Sequence, residues 1–224
     1  MESLEEIKAC IEAAVPGAKI DIVTNGAPSQ QHSLWVDNEH ASDVAKWLRD
    51  DPALRLDFCS NVTGVDCLDR TEKKTVKVKK IVDGEEKEVN ETAEEKIPGY
   101  LEAVYHLYSM THKHGPVIIR MKTQDRAENA CLPSLTPIWR SAEFQEREIF
   151  DLYGVKFDGH PDLRRILMWD EFEDYPMRKD YREPDDYEYE PTPHDVVLEK
   201  AKQYYPSRPQ SDGAEGIVEG SKPT

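Results

Sequence analysis

A chain of 224 residues is long enough for one domain with a well-filled core and a sizeable appendage. Hydrophobic residues at 38% are few for a globule of that length, so part of the chain is expected to be an exposed tail or insertion. A formal net charge of -16 argues against a nucleic-acid partner, whose phosphates call for an excess of Lys and Arg, and against adhesion to an anionic membrane surface.

The opening stretch, MESLEEIKACIEAAV, has neither a basic start nor an apolar central run, and is no secretory signal. No window approaches the roughly 18 uninterrupted apolar residues that a transmembrane helix needs. Four cysteines (Cys10, Cys59, Cys67 and Cys131) lie far apart, with neither CxxC nor ferredoxin-like spacing. They read as buried small hydrophobes in a reducing compartment, and the chain as a soluble intracellular protein.

Ser3 and Glu6 fit a capping box, with Leu4, Ile7, Ile11 and Ala14 on one face of a first helix that Pro16–Gly17 ends. Lys19–Thr24 and Gln31–Val36 read as strands joined by a loop containing Asn25, Gly26 and Pro28. Ala41, Val44, Ala45 and Leu48 mark a second amphipathic helix, closed near Pro52. Leu54, Leu56 and Phe58 alternate with Arg55 and Asp57 as a half-buried strand would, and the polar stretch Ser60–Arg70 is expected to turn back toward the sheet. Thr71–Lys96 is dominated by Lys and Glu around an Asp83–Gly84 turn, which gives a charged, solvent-projecting hairpin or a mobile loop. Gly99–Met110 and Pro116–Thr123 alternate Leu101, Ala103, Tyr105, Leu107 and Val117, Ile119, Met121, and make the clearest hairpin in the chain. Helices segregated against a mixed or antiparallel sheet describe an α+β two-layer domain, followed by an extended C-terminal arm.

Thr136–Pro137 has the form of a helix start and Gly154 that of a left-handed stop. Between them Trp139, Ala142, Glu146, Ile149 and Tyr153 recur at helical spacing, so one face carries aromatics and a carboxylate. Glu143–Arg147 and Arg147–Asp151 are i,i+4 pairs of opposite sign on a neighbouring face. Beyond Gly154 the pattern is non-periodic. Arg164 and Arg165 precede Ile166, Leu167, Met168 and Trp169, and the acids Asp170, Glu171, Glu173, Asp174 and Asp180 surround a second basic pair, Arg178 and Lys179. Arginines, acids and apolar anchors packed into so short a stretch suggest a surface segment with docking partners.

Other candidate chemistry is thin. His112 and His114 lie two apart but no third metal ligand is near in sequence, so they read as loop histidines. Asp170, Glu171, Glu173 and Asp174 lack the spacing and central glycine of a calcium loop. Glu146, if buried, needs Arg164, Arg165 or a backbone donor, or its pKa rises and it becomes a candidate proton carrier. No nucleotide, flavin or iron–sulfur motif occurs, and the expectation is a chain that catalyses nothing alone and binds no cofactor or metal.

The block Glu146–Tyr153 (EREIFDLY), six residues, His160–Leu167 (HPDLRRIL) and then Arg178–Tyr181 (RKDY) resembles the signature of the 30 kDa, or C-type, subunit of the proton-pumping NADH:quinone oxidoreductase, respiratory complex I. The resemblance is tight over about a fifth of the chain and loose over most of the rest. The family usually crosses 71–97 with a shorter connection, so that stretch looks like an insertion. The organisation implied is an α+β domain over 1–154, a partner-docking arm over 155–205 and a disordered tail over 206–224. The resemblance implies a component without a redox centre, beside the 49 kDa (D-type) subunit and the terminal-cluster (B-type) subunit, on the cytoplasmic side of the bacterial plasma membrane. FMN, iron–sulfur clusters, NADH and a quinone would be held by other subunits. The matching positions Glu146, Arg147, Glu148, Asp151, His160, Arg164, Arg165, Arg178, Lys179, Asp180 and Tyr181 then take fold-locking and docking roles, with Trp169 and Tyr181 as anchors. Two alternatives stand beside this one: the equivalent subunit of a membrane-bound hydrogenase or other complex I relative, and a stand-alone acid–base enzyme using Glu146 and His160.

Overall fold

A computed structural model describes residues 3–29, 31–82 and 85–182, with the backbone alone for 72–94. Ser3 and Glu6 close a reciprocal capping box on α1 (Leu4–Ala14), which buries Ile7 and Ile11. The strands β1 (Ile20–Val23) and β2 (Ser33–Val36) lead into α2 (Ala41–Asp50), whose apolar stripe Ala41, Val44, Ala45 and Leu48 is buried as the spacing predicts. Then come β3 (Phe58–Cys67), β4 (Arg70–Val82), β5 (Glu85–Ile97), β6 (Tyr100–Ser109) and β7 (His114–Lys122). The chain continues through β8 (Cys131–Pro133), a 3-10 turn (Arg140–Ala142), α3 (Glu143–Tyr153) and β9 (Lys156–Asp158).

Five strands form one mixed sheet in the order β1-β2-β7-β6-β3, with β2 and β7 parallel and the other neighbours antiparallel. The register aligns Ile22, Leu34, Ile119, Tyr105 and Val62 in a row across all five. Because side chains alternate along each strand, that row shares its face with Leu101, Ala103, Leu107, Val117 and Met121. Those residues, the stripes of α1 and α2, and Trp139, Ala142 and Ile149 make one continuous core. The fold is the α+β two-layer arrangement that segregated helices and alternating strands predict.

Two sequence expectations are corrected here. Leu54 and Leu56 are both buried, but not as part of a strand: Arg55 takes a left-handed backbone (φ 41), which turns both leucines inward. The stretch Ser60–Arg70 does not turn back; most of it is β3, antiparallel to β6 from Phe58↔Tyr108 to Cys67↔Tyr100. Its buried positions past Val62 are Gly64 and Asp66, neither of which signals a strand by hydrophobicity. The cysteines divide: Cys59 is buried with its thiol pushed up to about 12 by burial, Cys10 is exposed, and Cys67 and Cys131 are half-buried.

The charged stretch is a hairpin. β4 and β5 pair from Arg70↔Ile97 to Val82↔Glu85 as a separate two-stranded sheet, and the Asp83–Gly84 turn lies outside the described residues. Residues up to Tyr181 group as one compact unit. The arm and tail from 183 onward, with the tyrosine-rich stretch toward 205, lie outside the described residues.

Candidate functional site

The parallel pair β8–β9 brackets α3, joining Cys131, Leu132 and Pro133 to Lys156, Phe157 and Asp158. The helix does not begin at Thr136. Residues 136–138 form a turn and the α-helix starts at Glu143, because the groups that would have capped it are used elsewhere. The Thr136 hydroxyl donates to Glu146 Oε2 (3.0 Å), and the Trp139 indole N–H donates to the Leu56 carbonyl (2.7 Å). Gly154 ends α3 in the left-handed conformation expected of it (φ 77, ψ 25).

Glu146 is completely buried, and among the described residues no arginine bonds its carboxylate. Its carboxylate accepts from Tyr105 Oη (3.0 Å), Ser134 Oγ (2.5 Å), Thr136 Oγ1 (3.0 Å) and the Leu135 N–H (2.9 Å). Burial pushes its pKa above the ordinary carboxylate value, and these four bonds only partly offset that. Hydroxyl and backbone donors stabilise the ion without importing a second buried charge. Glu146 therefore ties β6 and the β8–α3 connection into one unit.

Arg147 and Asp151 do not make the i,i+4 pairs their spacing suggests. Arg147 donates through Nε to the Arg164 carbonyl (3.1 Å) and through Nη2 to the Arg165 carbonyl (3.2 Å), with Asp162 at 3.8 Å. Asp151, fully buried, takes the Arg165 guanidinium on Oδ1 (2.7 Å) and three successive N–H groups on Oδ2: Ile166 (3.0 Å), Leu167 (2.6 Å) and Met168 (2.9 Å). Burial alone raises this carboxyl; the N–H donors of Met168, Leu167 and Ile166, with Arg165, outweigh it and hold the pKa below the usual range. Longer-range partners win because three backbone donors and a guanidinium satisfy both oxygens, where one exposed helix pair would satisfy a single oxygen.

A second set of contacts holds the end of the segment. The Tyr175 ring lies over Gly154, where a Cβ would meet its Cζ at 2.5 Å, and Arg178 stacks on that ring while donating to the Tyr153 carbonyl (2.7 Å). Arg126 grips Asp66 through Nε and Nη2 (2.7 and 2.8 Å) and Asp180 through Nη2 and Nη1 (2.7 and 3.1 Å). The Lys179 N–H also reaches Asp66 (2.8 Å). Sequence reasoning gave Tyr105 a strand-core role and Thr136 a helix-cap role, and missed Arg126, Asp66 and Ser134. No local pattern marks them, since Asp66 and Asp180 lie 60 and 54 residues from Arg126.

The signature positions thus divide. Glu146, Arg147, Asp151, Arg165, Arg178 and Asp180 are engaged within the domain, whereas the Glu148 side chain is exposed and Arg164, also exposed, pairs with its near neighbour Asp162. Tyr181 is half-buried. His160 bonds the Glu143 carbonyl through Nε2 (3.0 Å), and the cleft of about 520 Å³ at this end of α3 is lined by neither Glu146 nor His160. That cleft is therefore not a pocket shared by the acid–base pair of the third sequence reading. Among its charged residues the pinned segment turns four large apolar side chains outward: Leu167 is 61% exposed, Met177 53%, Trp169 49% and Ile166 39%.

Metal-ligating sets are sparse. Asp37, Glu39 and His40 converge, but Asp37 already accepts from the Lys19 N–H and from His40. His112 and His114 stack at 6.0 Å, with His112 Nε2 on the Pro52 carbonyl, and no third ligand joins them among the described residues.

Fold and site together define a small α+β domain whose buried charges hold an exposed apolar segment in a fixed shape. Residues 34–187 match the family model described as respiratory-chain NADH dehydrogenase, 30 Kd subunit, and the chain belongs to that family. It is 35% identical over 156 residues to the second C-type subunit of the NADH-quinone oxidoreductase of Rhizobium meliloti, covering 70% of this chain and 69% of that protein. To the C-type subunit of the NADH-quinone oxidoreductase of Saccharopolyspora erythraea it is 34% identical over 170 residues, 76% of this chain but 56% of the relative's length. A chain of the membrane-bound sulfane sulfur reductase, an archaeal respiratory membrane complex, shares the fold with a TM-score of 0.52 over 97% of this chain and 99% of that one, at 19% identity.

Proposed function

We propose that this chain is a peripheral-arm subunit of a proton-translocating NADH:quinone oxidoreductase, supporting the quinone-reducing module beside its B- and D-type subunits. The observation that carries the reading is family membership over residues 34–187, with the signature segment held by its own buried charges. In this reading the chain holds no redox centre and has a structural role, while flavin, iron–sulfur clusters, NADH and quinone are held by neighbouring subunits. It lies on the cytoplasmic face of a bacterial plasma membrane; no described helix is long and apolar enough to cross one. Arg164 and Glu148, exposed on the signature segment, are among the charges it offers a partner.

The test is recovery of an N-terminally tagged chain from native membranes, with partner identification and an NADH:quinone assay. Co-purification of B- and D-type subunits with quinone-site-inhibitor-sensitive activity is expected. Arg164→Ala should lower recovery without changing cofactor content; normal assembly with a lost cluster signal would refute that role. The fold shared with the sulfane sulfur reductase chain keeps a second reading in view, the equivalent subunit of a hydrogenase or another complex I relative. Recovery of a nickel-ligating large subunit in place of an NADH-binding flavoprotein would select it.

A further inference from the structure

We propose that Ile166, Leu167 and Trp169 form a preorganised docking knob for a groove on another polypeptide, a groove apolar at its floor and lined with Lys and Arg at its rim. The proposal rests on the reading of the chain as a subunit of an assembly, and adds which residues make contact and what they contact.

Three observations carry it. First, the exposed side chains are large, apolar and adjacent: Leu167 at 61%, Trp169 at 49% and Ile166 at 39%. Exposed apolar groups scattered over a surface need no explanation, but three within four residues make a patch. Second, the backbone beneath them is held from inside. Asp151 Oδ2 accepts the N–H groups of Ile166, Leu167 and Met168, and Arg147 holds the Arg164 and Arg165 carbonyls. The Trp169 ring is set edge-on against buried Phe172 at 4.8 Å. Fixing the backbone in advance removes part of the ordering cost of association, which is how a small patch gains affinity. Third, the surrounding charge is predominantly negative, with the exposed Arg164 guanidinium as a cation at its edge. Asp170, Glu171, Glu173 and Asp174 are exposed, and no ion pair engages their side chains among the described residues.

The charge selects the occupant. An anionic lipid surface would meet four carboxylates beside the apolar residues and be repelled. A second copy of this chain would bring the same four carboxylates to the interface, in a molecule of net charge -16. A polypeptide groove rimmed by Lys and Arg gives these acids partners and the apolar residues a dry floor, the arrangement in which a few central side chains dominate binding.

The experiment uses the full-length tagged chain added to membranes from cells lacking it, with bound chain measured against salt. Wild type should bind and bring down the B- and D-type subunits; its failure to do so would overturn the assembly reading itself. Leu167→Asp and Trp169→Ala should each weaken binding at least about 30-fold, the margin of a hot-spot residue. Both positions are exposed, so melting temperatures within about 2 °C of wild type exclude misfolding as the cause. Neutralising the acids together (Asp170→Asn, Glu171→Gln, Glu173→Gln, Asp174→Asn) should slow association about tenfold at low salt and converge with wild type at high salt. A photo-cross-linker at position 167 in the assembled complex should capture a peptide with Lys or Arg flanking apolar residues. Wild-type binding with unchanged Leu167 and Trp169 variants would overturn the knob and leave the assembly reading intact. Equal binding to protein-free anionic vesicles, or a cross-link to lipid or to an acidic peptide, would overturn the choice of partner.

Discussion

Replacing Asp151 by Asn asks whether one buried carboxylate shapes the outward-facing loop. The native oxygens receive four donors, three of them consecutive backbone N–H groups and the fourth Arg165. Hydrogen bonds to a charged group contribute about 1.5–3 kcal/mol each. Their simple sum overshoots, because Ile166 and Leu167 are exposed enough for their freed N–H groups to find water. The better guide is removal of one partner from a buried ion pair, about 3–5 kcal/mol, and an amide that keeps one acceptor oxygen brings the cost to about 3 kcal/mol. That cost falls on local opening of the 164–169 segment more than on global unfolding, since the core sheet does not depend on it. Amide hydrogen exchange at Ile166, Leu167 and Met168 should then accelerate about 100-fold, while Tyr105 and Ile119 keep their protection. Asp162→Asn, which weakens an exposed pair with Arg164 and a longer 3.8 Å contact with Arg147, should leave the same amides within about threefold. The Asp151 carboxyl has a lowered folded-state pKa, so its contribution is present above the unfolded value near 3.8 and lost as pH falls through the folded one. Unchanged exchange at these three amides in Asp151→Asn would refute the account.

Three further outcomes are expected. Glu146 has a raised folded-state pKa, so the stability tied to its protonated form is complete below about pH 4.5 and is lost as pH rises through the folded value; Glu146→Gln should remove that slope, and parallel pH–stability curves for the two proteins would contradict it. Gly154→Ala meets a left-handed φ and the Tyr175 ring together, a cost of about 2–3 kcal/mol, and should lower the melting temperature by about 5–10 °C. Joining Arg70 to Ile97 through Asn-Gly, in place of 71–96, should leave the melting temperature within about 2 °C, because the two ends are directly paired and the hairpin forms its own sheet; a large drop in thermal melting would show that the hairpin supports the domain.

Elements whose apolar pattern matches their period were legible in sequence: α1 from its capping box, α2 from its stripe, β6 and β7 from alternation, and the Gly154 stop. β3 was not, because its inward positions include Gly64, where the Tyr153 ring approaches within 2.6 Å of a built Cβ, and Asp66, buried under Arg126. Neither residue type announces a buried strand. The start of α3 was misplaced for a related reason. Thr136 has the right side chain for a cap, but a buried carboxylate ten residues later binds its hydroxyl. Local rules assume that a polar group serves its neighbours, and that assumption fails where a distant buried charge needs donors. The signature residues were recognisable as a block, yet their partners were not.

Spacing offered Arg147 and Asp151 to each other, and the fold commits both to the segment that follows the helix. The charged residues that make the signature recognisable are therefore mostly holders, and the surface they support is made by the block's last two apolar residues, Ile166 and Leu167, with Trp169 just beyond it. A substitution at Asp151 or Arg147 would reach assembly indirectly, by releasing the loop and restoring the ordering cost that its fixed shape had removed. A substitution at Leu167 or Trp169 would reach it directly and leave amide exchange at Ile166–Met168 near wild type. Measuring binding and exchange on the same variants separates the two routes: holders should move both readouts together, and contact residues should move binding alone.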